Sequence, residues 1–244
     1  MENWEAGDWL IQKDLAQTLA RIAGYGRDGF YTGGTATLIV HEMEKQGGLV
    51  TAEDLRNYHS VWRTPVEFNY KDLHVITMPP PSSGGIILQQ LLGMVEPYPL
   101  KKYGAHSAEA IHLMVEAERR AYADRAEHMG DPDFWKVPVK SLTDTAYIRS
   151  RMTDFHADKA TKSGQVAAGK FRESEETTHY SIVDAGGNAV SVTTTLNDSY
   201  GSRVVVSGGG FILNNEMDDF SAKPGASNLY GAVGGKANAV GPGK

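Results

Sequence analysis

Helical periodicity fills this chain up to about residue 130, and strand-forming sequence is concentrated after residue 178. That segregation constrains the fold most. A chain that alternates strands with helices builds parallel βαβ units, whereas one that separates them builds an α+β layered domain. In the helical part, Ile11, Leu15, Leu19 and Ile22 recur at helical spacing over 11–23, and Leu38, Ile39 and Met43 do so over 35–46. Gly47 and Gly48 stop the second helix. Thr51-Ala52-Glu53-Asp54 reads as an N-cap followed by acidic first-turn residues. Further helices are expected over 86–95 and over 107–128, the latter with a broad apolar face of Ile111, Met114, Val115, Ala117, Ala121 and Tyr122. The stretches 64–68 and 73–77 look extended, and Pro79-Pro80-Pro81 rules out regular structure after them, because proline fixes φ and removes a donor. Past residue 178, the pattern predicts strands over 180–183 and 189–196 around a Gly186-Gly187-Asn188 turn, with two short strands over 204–206 and 211–213. Residues 157–176, rich in Lys, Gly, Ser and Glu, read as a mobile tail, and 224–244 as a Gly-rich loop without a clear element.

Composition narrows the function. The 244 residues allow one large domain or two small ones. A net charge of −6, from 30 acidic against 24 basic residues, argues against nucleic acid as a partner, since phosphate binding needs concentrated Lys and Arg. The chain has no cysteine, which excludes disulfides, thiolate catalysis and cysteine metal sites. The eight histidines lack paired ligand spacing, so no metal is expected. No apolar run is long enough to span a bilayer, and acidic Met1-Glu2-Asn3-Trp4-Glu5 does not read as a signal peptide. Gly24-Tyr25-Gly26-Arg27-Asp28-Gly29 satisfies a dinucleotide-binding spacing but follows a helix, so it fails the context that motif requires.

Three places carry chemistry-bearing residues. Thr177-Thr178 opens the β-rich part directly after the acidic Glu175-Glu176. Taken alone, a threonine pair there is ordinary strand sequence. A free amine at Thr177 would give its hydroxyl a base within one residue, but here that amine is tied up in the Glu176–Thr177 amide. Thr195 and Asn197 end the second strand, where β-branched residues running into a turn-forming Asn are also ordinary. Glu216, Asp218 and Asp219 crowd three carboxylates into four residues. A solvated acidic turn is the plain reading, and the alternation of a calcium loop is missing. Such carboxylates also suit a substrate ammonium through charge-assisted hydrogen bonds.

Thr177-Thr178-His179-Tyr180-Ser181-Ile182-Val183 and Leu213-Asn214-Asn215-Glu216-Met217-Asp218-Asp219-Phe220-Ser221 closely resemble the γ-glutamyltransferase (glutathione hydrolase) family. The first matches, position by position, the motif that starts that family's small subunit. Pro79-Pro80-Pro81-Ser82-Ser83-Gly84-Gly85, Ala121-Tyr122-Ala123-Asp124-Arg125 and Gly130-Asp131-Pro132-Asp133-Phe134 match as well, with structural roles expected. The resemblance implies cleavage between Glu176 and Thr177, after which Thr177 attacks γ-glutamyl amides. It makes Thr195 a support for that nucleophile. It makes Asn197, Glu216 and Asp219 ligands of the substrate α-amino group, and Tyr230 the tyrosine of a lid over 224–235 that reaches toward Asn197. Glu216 stands where many bacterial relatives carry Gln, which changes the local charge but keeps an acceptor.

The fold so implied is α+β, an αββα sandwich of the N-terminal nucleophile hydrolase type, incomplete at both ends. Residues 1–176 would form the C-terminal part of a large subunit, with the mobile tail at 157–176. Residues 177–244 would form the N-terminal part of a small catalytic subunit that pairs with the large one after cleavage. The family's α-carboxylate arginine, its assisting serines and its oxyanion-hole glycines are expected outside this segment, so the isolated chain is expected to be nearly inactive. The implied partners are a small γ-glutamyl substrate, glutathione above all, and an amino-acid or peptide acceptor or water, with no cofactor, metal or nucleic acid. A periplasmic or extracellular location is implied by the family alone. The alternatives are a cephalosporin or glutaryl acylase of the same superfamily, which need not keep the ammonium ligands, and a non-catalytic amino-acid-binding relative.

Overall fold

A computed structural model describes residues 5–162, 166, 178–223, 226 and 235–244. In chain order its elements are α1 (Lys13–Tyr25), α2 (Asp28–Tyr31), α3 (Gly33–Gln46), α4 (Ala52–Asn57), β1 (Val66–Tyr70), β2 (Leu73–Thr77), α5 (Gly84–Val95), α6 (Leu100–Tyr103), α7 (Ala108–His128), α8 (Val139–Leu142), α9 (Thr145–Ser150), β3 (Thr178–Val183) and β4 (Ala189–Thr194). Two 3-10 turns follow, at Glu216–Asp219 and Lys236–Asn238. The chain divides into two compact units, Met1–Val61 with Ser174–Glu216 and Trp62–Glu173 with Met217–Lys244. Each therefore combines residues from both sides of the Glu176–Thr177 bond.

In the first unit, a small core forms where Ala36 and Ile39 of α3 meet Leu55 of α4 and Val206. α4 starts as the sequence requires: Thr51 and Asp54 form a reciprocal capping box that satisfies two otherwise orphaned backbone donors. The α1 pattern needs correction. Ile11 precedes the helix and is exposed, as is Leu19, and the buried residue is Thr18, whose hydroxyl donates to the Gly209 carbonyl at 2.8 Å. Arg21 ties this contact to α3 by donating to the hydroxyls of Thr18 and Thr35. β3 and β4 pair antiparallel from Thr178↔Thr194 to Val183↔Ala189. Their turn is closed by Asp184, whose carboxylate accepts from the backbone of Gly186 and Asn188 and from the Asn188 side chain. The two short strands expected over 204–206 and 211–213 are reduced to a single bridge, Val205↔Ile212. Gly208 and Gly210 both take positive φ, so the chain between them coils instead of extending.

In the second unit, α5 lies on α7. Ala117 and Ala121 are fully buried and let Ile87, Met94 and Val95 approach Leu113, with Ile148 of α9 and Met152 completing the cluster. Small side chains at the contact allow close helix packing without voids. The β1–β2 hairpin, in the register Val66↔Thr77, seats Val66 against Ile86, Met129 and Leu142. Ser107 and Asp144 cap α7 and α9 by accepting backbone N–H groups two to three residues into each helix. Among the described residues no helix is long and apolar enough to cross a membrane.

Candidate functional site

The Thr195–Asn197 loop is built by a left-handed residue and a cross-loop staple. Asn197 has φ 74°, a conformation that Asn tolerates better than most L-residues because its short polar side chain can bond locally. Its backbone N–H donates to the Thr195 hydroxyl at 2.9 Å. Its side-chain amide donates to the Asn215 carbonyl at 3.1 Å, and Asn197 is only 4% exposed. Asn215 reciprocates: its N–H donates to the Leu196 carbonyl and its side-chain oxygen accepts from Asp198 N–H. Next to it, Asn214 accepts from Glu216 N–H at 3.0 Å. Residues 196–198 and 214–216 are thus stitched together by three hydrogen bonds, all of them to Asn215. Thr195, Asn197 and Glu216 consequently sit on one pair of adjoining loops.

The loop pair is held from behind. Gly201, at φ 50°, lies against Leu213, where a Cβ would come within 2.3 Å of the carbonyl oxygen. Ser202 donates its N–H and its hydroxyl to that same carbonyl, and Leu213 N–H donates to Val204. Val206, fully buried, then plugs the segment into the α3–α4 core. Gly210 presses on the backbone of Leu15 in α1, where a Cβ would come within 2.2 Å of the Leu15 nitrogen. The helices of the first unit therefore fix the position of loops that lie some 190 residues away in sequence.

His179, in β3, faces a row of hydroxyls: its Nδ1 is 2.8 Å from Thr193 Oγ1 and its Nε2 is 3.1 Å from Ser191 Oγ. Asp219, in the second unit, is fixed through its backbone, its carbonyl accepting from the Asn238 side chain at 2.7 Å. Two further contacts in that unit, Ser221 N–H to the Asn238 carbonyl and the Ser221↔Ala239 bridge, order the stretch after the acidic turn. Glu176, Thr177 and Tyr230 lie outside the described residues, as do 163–165 and 167–175 of the expected tail and most of the expected lid.

Sequence reasoning assigned no role to Asn214 and Asn215, although both stand in the quoted motif. The signal available was the Asn-Asn doublet before the acidic residues, since Asn side chains bond neighbouring backbone and favour turns. Among the described residues no group of three or more His, Cys, Asp or Glu is arranged to hold a metal ion.

The sequence profile of the Gamma-glutamyltranspeptidase family matches residues 1–244. The glutathione hydrolase proenzyme of Escherichia coli (strain K12) is 52% identical over 245 residues, covering 100% of this chain and 42% of that protein. The crystal structure of the Helicobacter pylori gamma-glutamyltranspeptidase superposes with a TM-score of 0.65 at 43% identity, over 67% of this chain and 47% of that one. That of a cephalosporin acylase from Bacillus halodurans gives a TM-score of 0.79 at 25% identity, over 98% of this chain and 41% of that one. The segment thus spans about 42% of the length of the curated relatives it matches. These likenesses bear out the α+β fold class of the N-terminal nucleophile hydrolases, of which two two-stranded antiparallel sheets are formed among the described residues.

Proposed function

The chain belongs to the gamma-glutamyltranspeptidase family, and on that premise we propose that it carries the self-processing junction and part of the substrate site of an enzyme that hydrolyses and transfers γ-glutamyl groups, glutathione being the leading substrate. Thr177 is the nucleophile of this reading. Its hydroxyl attacks the Glu176 carbonyl, the peptide nitrogen leaves as the Thr177 amine, and water hydrolyses the resulting ester to a Glu176 carboxylate. The freed amine is then the base that activates the same hydroxyl toward a γ-glutamyl amide. The acyl group passes to water or to an amino-acid or peptide acceptor.

Thr195 supports the nucleophile, and Asn197, Glu216 and Asp219 receive the substrate ammonium, with Tyr230 in the lid over 224–235. The observation that carries this reading is the stapled loop pair, which commits a buried amide and a carboxylate-bearing residue to one locality. β3 adds support, because its register sets Thr178, the residue after Thr177, opposite Thr194, the residue before Thr195. In this reading 1–176 ends a large subunit and 177–244 begins a small one, and the enzyme works in the periplasm or outside the cell.

The test follows the intact mass of the chain, and of a full-length family proenzyme carrying it, beside Thr177→Ala. Products ending at Glu176 and beginning at Thr177, absent in the variant, are expected. A full-length protein that stays uncleaved would refute the nucleophile assignment. The acylase reading gains weight from the likeness to the B. halodurans enzyme. Comparing γ-glutamyl with glutaryl anilides separates the two, and a preference for γ-glutamyl is expected.

A further inference from the structure

Sixteen residues before Thr177, the chain passes through a clasp on α7. Glu116 and Arg120 stand one helical turn apart on the buried side, each 1% exposed. Arg120 donates from Nη1 to Glu116 Oε2 at 2.7 Å, and from Nη2 to Asp154 Oδ1 at 2.7 Å. Thr161 closes the arrangement with all its polar atoms. Its N–H donates to Glu116 Oε1 at 2.9 Å, its hydroxyl donates to Glu116 Oε2, and its carbonyl accepts from Arg119 at 2.9 Å. The hydroxyl also accepts from Arg120 Nη2 at 3.3 Å. Burial pushes the Glu116 carboxyl up, but the bonds from Thr161 and Arg120 outweigh it and leave the group below its usual range.

A buried ion pair is weak evidence for stability, because desolvation offsets most of the attraction, and its better-attested use is to specify one arrangement over others. Here the arrangement it specifies is the position of a single residue, Thr161, in a stretch outside regular secondary structure. Glu116 offers both carboxylate oxygens to that residue, which is more than an internal helix pair needs.

We propose that this clasp anchors the processing segment, and that Glu116, Arg120 and Thr161 are positioning residues for cleavage at Glu176–Thr177. The proposal rests on Thr177 being the processing nucleophile. Attack within one residue requires a near-attack geometry, and fixing the chain upstream removes competing conformations before the reaction. The clasp does no chemistry and is not needed once the bond is cut.

The experiment uses a full-length family proenzyme carrying this chain, with Thr161→Val, Thr161→Ser, Glu116→Gln and Thr177→Ala. Processing is timed by intact mass, and turnover of a γ-glutamyl anilide is measured per cleaved molecule. Val keeps the shape of Thr and removes only the hydroxyl. Loss of a hydrogen bond to a charged group should slow processing roughly tenfold or more. Ser should restore it to within about twofold, Glu116→Gln should slow it, and turnover per cleaved molecule should be unchanged by the Thr161 variants. Wild-type processing in Thr161→Val overturns the clasp. So does a loss that Ser fails to rescue, or one that lowers processing and turnover together, because either marks a merely structural contact. Cleavage at the same bond in Thr177→Ala would instead overturn the nucleophile reading on which the clasp depends.

Discussion

Replacing Asn197 tests whether the loop pair is held by backbone conformation and a side-chain staple together. In Asn197→Ala, the amide that donates to the Asn215 carbonyl is gone, and a half-buried acceptor is left without that donor. Such an orphaned group costs about 1–3 kcal/mol. Alanine must also hold φ 74°, which costs an L-residue without a local side-chain bond roughly 1–2 kcal/mol. Asn197→Gly loses the same hydrogen bond but adopts the left-handed conformation freely. Its greater freedom in the unfolded chain returns about 0.4–1 kcal/mol of that relief. Alanine should therefore destabilise the loop by about 2–5 kcal/mol and exceed glycine by roughly 1 kcal/mol. Hydrogen exchange of the Asp198 and Asn215 amides in the intact chain reads this directly, since local opening sets their protection. Both variants should exchange faster than wild type, alanine several-fold faster than glycine. Equal or reversed rates would refute the conformational half of the argument, and unchanged protection in both would refute the staple.

Two further outcomes follow from the same packing. Gly210→Ala places a methyl against the Leu15 backbone at a positive φ, so it should weaken docking of 206–211 on α1 and raise exchange at Val206 while leaving α5 and α7 of the second unit unaffected; equal exchange in wild type and variant would count against it. The Arg120 hydrogen bond holds Asp154 below the ordinary carboxylate range, so the unfolded chain binds that proton more readily. The stability this contributes is present above the unfolded value near ~3.9 and is lost as pH falls through the depressed folded value. The urea midpoint of the second unit should accordingly drop more between pH 7 and pH 3 in wild type than in Asp154→Asn, and identical drops would contradict the assignment.

Much of this architecture is legible in the sequence, for local reasons. α5 and the capping box at Thr51 follow from periodicity and end signals that act within a few residues, and so does the extent of α7. The expected apolar face of α7 does not hold: Ile111, Met114 and Val115 are exposed, and the helix buries Leu113, Ala117 and Ala121 with the paired Glu116 and Arg120. Helices α2, α6 and α8, with four residues each, are too short to show a period, and proline or glycine beside them reads equally well as a turn. The failure at 204–213 has a different cause. Val204, Val205 and Val206 have strand propensity, but Val206 is claimed by the α3–α4 core and the glycines after it fold the chain back toward α1. Tertiary contact overrides propensity there. At the candidate site, residue identities were legible as chemistry and as family motif. The left-handed Asn197 and the service of Asn215 were not, because both depend on two loops that meet only in the folded chain.

The buried bond from Thr18 to Gly209 joins the two sides of the Glu176–Thr177 peptide, and so does the core that Val206 shares with Ala36, Ile39 and Leu55. While the chain is continuous, these are intramolecular contacts whose closure entropy grows only slowly with the length of the intervening loop. If the peptide is cut as proposed, the same contacts become an interface between separate polypeptides, and reassembly acquires a dependence on concentration. A single hydrolytic event therefore changes the order of the folding reaction. The uncut chain refolds unimolecularly, whereas the cut pair, once dispersed by denaturant, must find each other again before this core can re-form.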